Sequence, residues 1–309
     1  MSILFHIRIG PADVWIDGLR AEMPGEDIRL WPDAGDPEAV EFAVTWRHPA
    51  GLFRQFPNLK GIFSIGAGVD HILCDPDLPP GVPVIRLVDP VLDSDMTLHV
   101  VHRTIHYHRG YHRYLELQQA ARWEKVPFPE TGERGVGIMG LGRLGRRAAT
   151  TMASLGFTVA GWSRTAKAIP GVACFAGDEQ LPAFLARSQI LVCLLSLTPE
   201  TTNIVDSKAL MQLPQGAFFI NTARGGHVVE ADLIAALDSR HIERANLDVF
   251  ATEPLPPESP LWRHPRIDVT PHVAARVNPR SACRIFADGM HRLRAGQPHP
   301  DAVDRVRGY

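Results

Sequence analysis

The chain has 309 residues, enough for two domains each with its own core, and its 45% hydrophobic and 21% charged content is that of an ordinary globular protein. A formal net charge of −2 leaves no global basic field to recruit nucleic acid or an anionic membrane. Four scattered cysteines with no Cys-x-x-Cys pair, and no apolar stretch of membrane-spanning length, point to a cytoplasmic protein in a reducing compartment.

Through the first third of the chain, short apolar runs alternate with helical patterns. Ile3–Ile9 predicts a strand, since His6 and Arg8 interrupt it too early for a signal peptide. Ala12–Met23 predicts a helix stopped by Pro24-Gly25. Strands are expected at Ile28–Trp31, Phe42–Thr45, Gly61–Ile65 and Val84–Leu87, with a short helix around Leu52–Phe56. Such alternation builds a parallel sheet with helices on its faces, and ligands of these sheets sit beyond the carboxyl ends of the strands. That selects the loops Thr45–Pro49 and Ser64–Asp70. In the second, Gly66-Ala67-Gly68 lets successive backbone N–H groups approach an anion closely, although a plain tight turn would use the same glycines.

Apolar spacing then predicts one long helix over 95–119, starting after Asp93-Ser94-Asp95 and open to a break at Gly110. It carries His99, His102, His106, His108 and His112. His102 and His106 have the spacing of a metal-ligand pair, but no acidic ligand follows them as in H-E-x-x-H. They read as helix-surface histidines, and no metal is expected.

A second α/β unit begins at Glu133. Its strands are expected at Val136–Met139, Thr158–Trp162, Ile190–Leu195, Phe218–Ile220, Ala245–Val249 and Ile267–Val269. Helices are expected at Arg143–Leu155, Leu181–Ala186, Ser207–Leu213 and Glu230–Leu237, and a last helix runs from Arg280 to about Ala295. Between the first strand and first helix stands Gly140-Leu141-Gly142-Arg143-Leu144-Gly145. In that context Gly140 makes the tight turn, Gly142 leaves room for a pyrophosphate, and Gly145 lets helix and strand pack closely. The next strand ends in Ser163-Arg164-Thr165, with Lys167 behind, where an NAD-preferring fold usually places Asp or Glu. Hydroxyls and a guanidinium suit a 2′-phosphate, and the missing carboxylate removes a repulsion, so NADP(H) is expected over NAD(H).

Three polar groups follow apolar strands further on: Arg224 in Asn-Thr-Ala-Arg-Gly, Glu253 in Ala-Thr-Glu-Pro, and His272 in Thr-Pro-His. A guanidinium matches a carboxylate bidentately, and a carboxylate beside an imidazole orients it as a proton donor. The combination suits hydride transfer to an anionic carbonyl compound, with Arg224, Glu253 and His272 as the catalytic candidates.

The succession GAGVD, GLGRLG, NTARG, LDVFATEP and TPHVA resembles the D-isomer-specific 2-hydroxyacid dehydrogenase family over essentially the whole chain. FAGDEQLPAFL, GGHVVEADLIAALDS, EPLPPESPLW and VDRVRGY resemble its bacterial glyoxylate/hydroxypyruvate reductase A branch. The resemblance implies two doubly wound parallel-sheet domains with a cleft between. A flavodoxin-like substrate domain would comprise 1–97 plus 277–309, and a Rossmann cofactor domain 98–276. It implies that Arg224 binds the substrate carboxylate and that His272, paired with Glu253, donates the proton. Trp46, Ala67, Gly68 and Val69 would contact a small anionic 2-keto acid. Leu195, Pro199, Thr222 and Ala223 would line the dinucleotide, Asp248 would contact the nicotinamide carboxamide, and the protein would be a homodimer. One segment departs from that branch: Pro90-Val91-Leu92-Asp93-Ser94-Asp95-Met96 replaces a Gly-Met-Gly-Glu-Gln-Met type of run. Two alternatives remain beside keto-acid reduction: a non-catalytic NAD(P)H-sensing interaction protein, and oxidation of phosphite or formate on the same scaffold.

Overall fold

The computed structural model describes residues 1–7 and 11–309, so the end of the strand expected at Ile3–Ile9 lies outside the described residues. The chain divides into two compact units, one of Met1–Leu92 with Arg276–Tyr309 and the other of Asp93–Ala275.

In the first unit five strands form a wholly parallel sheet: β1 (Ser2–His6), β2 (Asp27–Leu30), β3 (Val40–Thr45), β4 (Gly61–Ser64) and β5 (Val84–Ile85), in the order β2-β1-β3-β4-β5. Both faces are covered, which is why the strands read as near-continuous apolar runs. On one face Leu4, Ala43, Ile62 and Val84 pack with Leu52, Phe53, Phe56 and Ile72. On the other, helix α1 (Ala12–Glu22) packs with the helix at Pro279–Arg294, which the chain supplies only after leaving the second unit. Phe286 of that helix stacks on Trp15 at 6.5 Å and meets Phe63 edge-on at 5.8 Å. Helix α2 is a single turn, Asp70–Leu73, directly after the glycine loop.

The second unit holds seven parallel strands: β6 (Gly135–Met139), β7 (Thr158–Ser163), β8 (Val172–Ala176), β9 (Ile190–Cys193), β10 (Ala217–Asn221), β11 (Ile242–Leu247) and β12 (Ile267–Val269). Their order is β12-β11-β10-β9-β6-β7-β8, so the winding reverses between β6 and β9. Alternate residues face opposite layers. Ile138, Val192 and Ile220 pack with α3 (Pro90–His108) and α5 (Arg143–Ser154), through Val100, Tyr107, Ala148 and Met152. Met139, Leu191 and Phe219 pack with α6 (Gly177–Leu185), α7 (Ser207–Met211) and α8 (Glu230–Asp238), through Phe184, Leu210 and Leu233.

The structure corrects three expectations. Helix α3 begins at Pro90, five residues before the predicted start, because Asp89 Oδ1 accepts the Val91 N–H and Pro90 needs no donor in a first turn. Gly110, at φ +67°, ends it and opens α4 (Tyr111–Gln119). Strand β8 was not anticipated; at the sheet edge its residues are half-buried or, at Ala173, exposed, so the apolar signal is weak. The α3–α4 histidines are not a surface set: His108 and His112 are buried, His99 and His106 are half-buried, and only His102 is exposed. Asn246 and Phe218 of the sheet meet His99 and His112, and Phe128 and Phe157 flank His108, tertiary contacts that helical spacing does not encode. Among the described residues no helix is long and apolar enough to cross a membrane.

Candidate active site

The glycine turn lies at the reversal point, between the ends of β6 and β9. Gly140 has φ +108°, and a Cβ there would lie 2.7 Å from the Leu194 carbonyl oxygen, so no side chain fits where the two strand ends meet. A Cβ on Gly145 would lie 1.7 Å from the Gly140 oxygen, which fixes how closely α5 starts against the turn. Gly142 differs: a Cβ would meet nothing within 4 Å, and no side chain caps α5. That open space beside uncapped first-turn N–H groups fits a pyrophosphate. The residues present therefore fit a dinucleotide.

The named neighbours divide by exposure. Leu141 is buried, filling the space over Gly161, and Leu144 packs on the α3–α5 core, so both serve the turn through packing and backbone. Arg143 is exposed, and its guanidinium pairs with Asp93 of α3. Arg164, Thr165 and Lys167 are exposed just past β7, whereas Ser163 is buried and its hydroxyl donates to the Thr165 carbonyl at 2.8 Å. Pro199 starts an exposed turn, Leu195 is half-buried, and Thr222 and Ala223 are buried at the end of β10.

Arg224, Asp248 and His272 follow β10, β11 and β12, at the carboxyl edge where parallel sheets of this kind bind ligands. Two devices shape this edge. Gly225 crosses so close to the next loop that a Cβ would lie 1.8 Å from the Phe250 carbonyl carbon, which brings the turn of Arg224 against the loop carrying Glu253. Asn221 locks the same turn, accepting the Ala223 N–H at 3.2 Å and donating to the Arg224 carbonyl at 3.0 Å.

Asp248 is the second device, buried at 1% exposure. Its Oδ1 accepts from the Thr270 hydroxyl at 2.6 Å and the Val273 N–H at 2.9 Å, and its Oδ2 from the Ala274 N–H at 2.9 Å. Its carbonyl takes the His272 N–H at 2.8 Å. Four bonds thus hold His272 at φ +53°, a conformation that costs a residue with a Cβ and persists only when its surroundings impose it. The His272 ring is 35% exposed, and its Nδ1 lies 3.0 Å from Glu253 Oε2, while Glu253 Oε1 accepts the Phe250 N–H at 3.1 Å. Nδ1 donates to this carboxylate, which turns Nε2 away from the pair.

In the first unit, the loop Gly66–Val69 leaves β4, and Trp46 leaves β3 beside it. The indole lies over Gly66, where a Cβ would be 2.7 Å from the ring. The amides of Ala67, Gly68 and Val69 donate to no backbone carbonyl of another described residue.

Sequence reasoning missed Gly225 and the clamp made by Asp248. The doubled glycine in Ala-Arg-Gly-Gly was the available signal for the first. The second depends on bonds spanning more than twenty residues and left no local trace.

A strand-end imidazole and carboxylate, a guanidinium two strands away and a glycine turn shaped for pyrophosphate together define a nicotinamide-dependent oxidoreductase. The chain belongs to the D-isomer specific 2-hydroxyacid dehydrogenase family, whose NAD-binding-domain model matches residues 101–274. It is 41% identical, over the full length of both chains, to a glyoxylate/hydroxypyruvate reductase A of Escherichia fergusonii. A D-isomer specific 2-hydroxyacid dehydrogenase of Xanthobacter autotrophicus, solved with NADPH and MES, has 44% identity and a TM-score of 0.95 over 100% of this chain and 99% of that one. An NADPH-dependent glyoxylate/hydroxypyruvate reductase of Sinorhizobium meliloti, solved with NADP and sulfate, has 37% identity and a TM-score of 0.94, with 100% of each chain covered.

Proposed function

We propose that this chain reduces a small 2-keto acid of the glyoxylate or hydroxypyruvate type to the 2-hydroxy acid, with NADPH preferred to NADH. The observation that carries this is His272 Nδ1 held 3.0 Å from Glu253 Oε2, at the strand edge that also bears Arg224. The names of the relatives support the substrate class, and the NADPH and NADP in two of their structures support the cofactor.

Residues 1–97 with 277–309 act as the substrate side and 98–276 as the cofactor side. Arg224 pairs with the substrate carboxylate and polarises the adjacent carbonyl. Ala67, Gly68 and Val69 offer backbone N–H groups to the same carboxylate, and Trp46 limits the size of the substrate. His272 donates a proton from Nε2 to the carbonyl oxygen, and Glu253 holds the ring by its Nδ1–H and balances its charge. The nicotinamide, when bound, supplies the hydride from C4. Arg164, Thr165 and Lys167 receive the 2′-phosphate, where an acid would have repelled it. Asp248, beyond its clamp, borders the carboxamide, and Leu195, Pro199, Thr222 and Ala223 line the dinucleotide. The enzyme works as a homodimer in the cytoplasm, whose reducing conditions suit its four free cysteines.

A steady-state panel of keto acids with both nicotinamides tests this. The expected result is NADPH oxidation by glyoxylate or hydroxypyruvate, with kcat/KM about tenfold or more above that with NADH. Tight NADPH binding without turnover on any keto acid overturns the enzymatic proposal, and an NADH preference overturns its cofactor half.

A further inference from the structure

The first unit contains a hydrogen-bonded relay that links the two loops assigned to the substrate. His71 stands in α2, one turn after the glycine loop. Its Nδ1 lies 3.2 Å from the backbone N–H of Arg47, and its Nε2 lies 3.2 Å from the Ser64 hydroxyl. A backbone N–H can only donate, so Nδ1 carries no proton and Nε2 does. The Nε2–H therefore donates to Ser64 Oγ, which also accepts the Gly66 N–H at 3.2 Å, and the Ser64 proton goes to the Gly68 carbonyl at 3.0 Å. Every member has one possible direction. Ser64 is fully buried, so losing a partner inside the relay leaves a polar group without water.

The relay spans two backbone segments, the Trp46–Arg47 turn after β3 and the Gly66–Val69 loop after β4. Arg47 sits at φ +55°, unfavourable for a residue with a Cβ, and its N–H bond to His71 holds it there. The His71 ring also packs against Trp46, with ring centroids 4.2 Å apart, and so seats the indole over Gly66. The outer end of the same loop has an independent anchor. His48 Nε2 lies 3.0 Å from Asp75 Oδ2, and both side chains are almost fully buried. Asp75 also accepts the N–H groups of Gly51 and Asp77. With its outer end tied to Asp75 and the Trp46 N–H bonded to the His6 carbonyl at 3.0 Å, the loop stays folded when His71 is changed, while the Arg47 backbone and the Trp46 indole lose the contacts that His71 gives them.

We infer that His71, acting through Ser64, is a positioning residue for substrate recognition: it holds the Trp46–Arg47 turn against the Gly66–Val69 loop and so sets the shape of the surface that receives the keto acid. This rests on the keto-acid function proposed above. His71 touches neither substrate nor cofactor in this role, so its loss acts on substrate affinity and leaves the hydride and proton transfers in place.

The test is steady-state kinetics of His71→Ala, His71→Asn and Ser64→Ala, with NADPH affinity measured separately by fluorescence titration. In His71→Ala, KM for the keto acid rises about tenfold or more, kcat stays within about threefold, and the NADPH Kd stays within about twofold. Asparagine places an amide oxygen near the position of Nδ1, where it accepts the Arg47 N–H, so His71→Asn recovers most of the lost affinity. Ser64→Ala, which leaves the Arg47 bond intact, raises KM by about threefold. A KM unchanged in His71→Ala, an equal rise in the NADPH Kd, or no recovery in His71→Asn overturns the inference. If His71→Ala does not fold, an unchanged KM in Ser64→Ala overturns it instead. The wild-type control separates two failures. Wild-type turnover with unshifted variants defeats the role of His71 alone, whereas no wild-type turnover defeats the proposed function and leaves His71 with nothing to position.

Discussion

His272 and His112 belong to the same unit and have opposite surroundings. His272 stands at a sheet edge, 35% exposed, with a carboxylate at Nδ1 and a backbone conformation imposed by four bonds to Asp248. His112 is buried under α4 among the rings of His106, Tyr107 and Phe218, and neither of its nitrogens has a hydrogen-bond partner. Burial, aided by the positive charge of Arg244, pushes its pKa down to about 4, against a small opposing pull from Asp268. A histidine fixed by a carboxylate at the carboxyl edge of the sheet keeps part of its ring open to solvent. Packed between a helix and the sheet without one, it is a core group kept neutral.

Substitutions on the two sides should separate cleanly. Arg224→Ala should cause the largest loss, about three to four orders of magnitude in kcat/KM for the keto acid, because in the proposed mechanism it removes both the carboxylate anchor and the charge facing the developing alkoxide. A loss below about tenfold would remove Arg224 from the mechanism. His272→Ala should lower kcat by about a thousandfold, with the NADPH Kd nearly unchanged, as expected for loss of a proton donor and not of a binding group. Glu253→Gln should cost about ten- to a hundredfold in kcat, since the amide still reaches His272 but cannot balance its charge. A Glu253→Gln defect as large as that of His272→Ala would contradict a supporting role. At the cofactor end, Arg164→Ala should reduce kcat/KM with NADPH about tenfold and leave the value with NADH in place.

His112→Leu should have the smallest effect at neutral pH, leaving kcat and KM within about twofold. Its consequence appears on acidification. The folded-state pKa, about 4, lies below the unfolded value, so the unfolded chain binds a proton that the folded chain refuses. This contribution is absent above about pH 6.5 and destabilises the fold progressively as pH falls toward 4, by on the order of 3 kcal/mol. Burial lowers the pKa of His99, His106 and His108 as well, in the same direction. Urea unfolding at pH 7 and pH 4.5 should therefore show a smaller loss for His112→Leu than for the wild type. Equal losses would mean that His112 is hydrated in solution.

Local rules made much of this molecule legible. The strand-turn-helix context of Gly140–Gly145 states a backbone requirement that is met within a few residues, and the structure meets it: Gly140 and Gly145 have no room for a side chain, and Gly142 has space. The apolar runs announced parallel sheets because strands buried on both faces carry no polar alternation. Arg224, Glu253 and His272 could be nominated because each follows or neighbours such a run. The start of α3 could also have been read, since Asp89-Pro90 is a stronger helix opening than Asp93-Ser94-Asp95.

By itself, then, the sequence determined the fold class, the turn that suits a dinucleotide and the residue types available for chemistry, because these depend on periodicity and on backbone sterics close along the chain. Only the tertiary structure decided which polar groups meet. Glu253 reaches His272 across nineteen residues, Asp248 clamps the loop of His272 from another strand, and His71 joins Arg47 to Ser64 across loops of different strands. It also decided which histidines are withdrawn from water, since Phe218 of β10 packs on His112 while Phe128 and Phe157 flank His108. Hydrogen bonding and desolvation act between neighbours in space, and those neighbours are set by how strands far apart in the chain are ordered in the sheet.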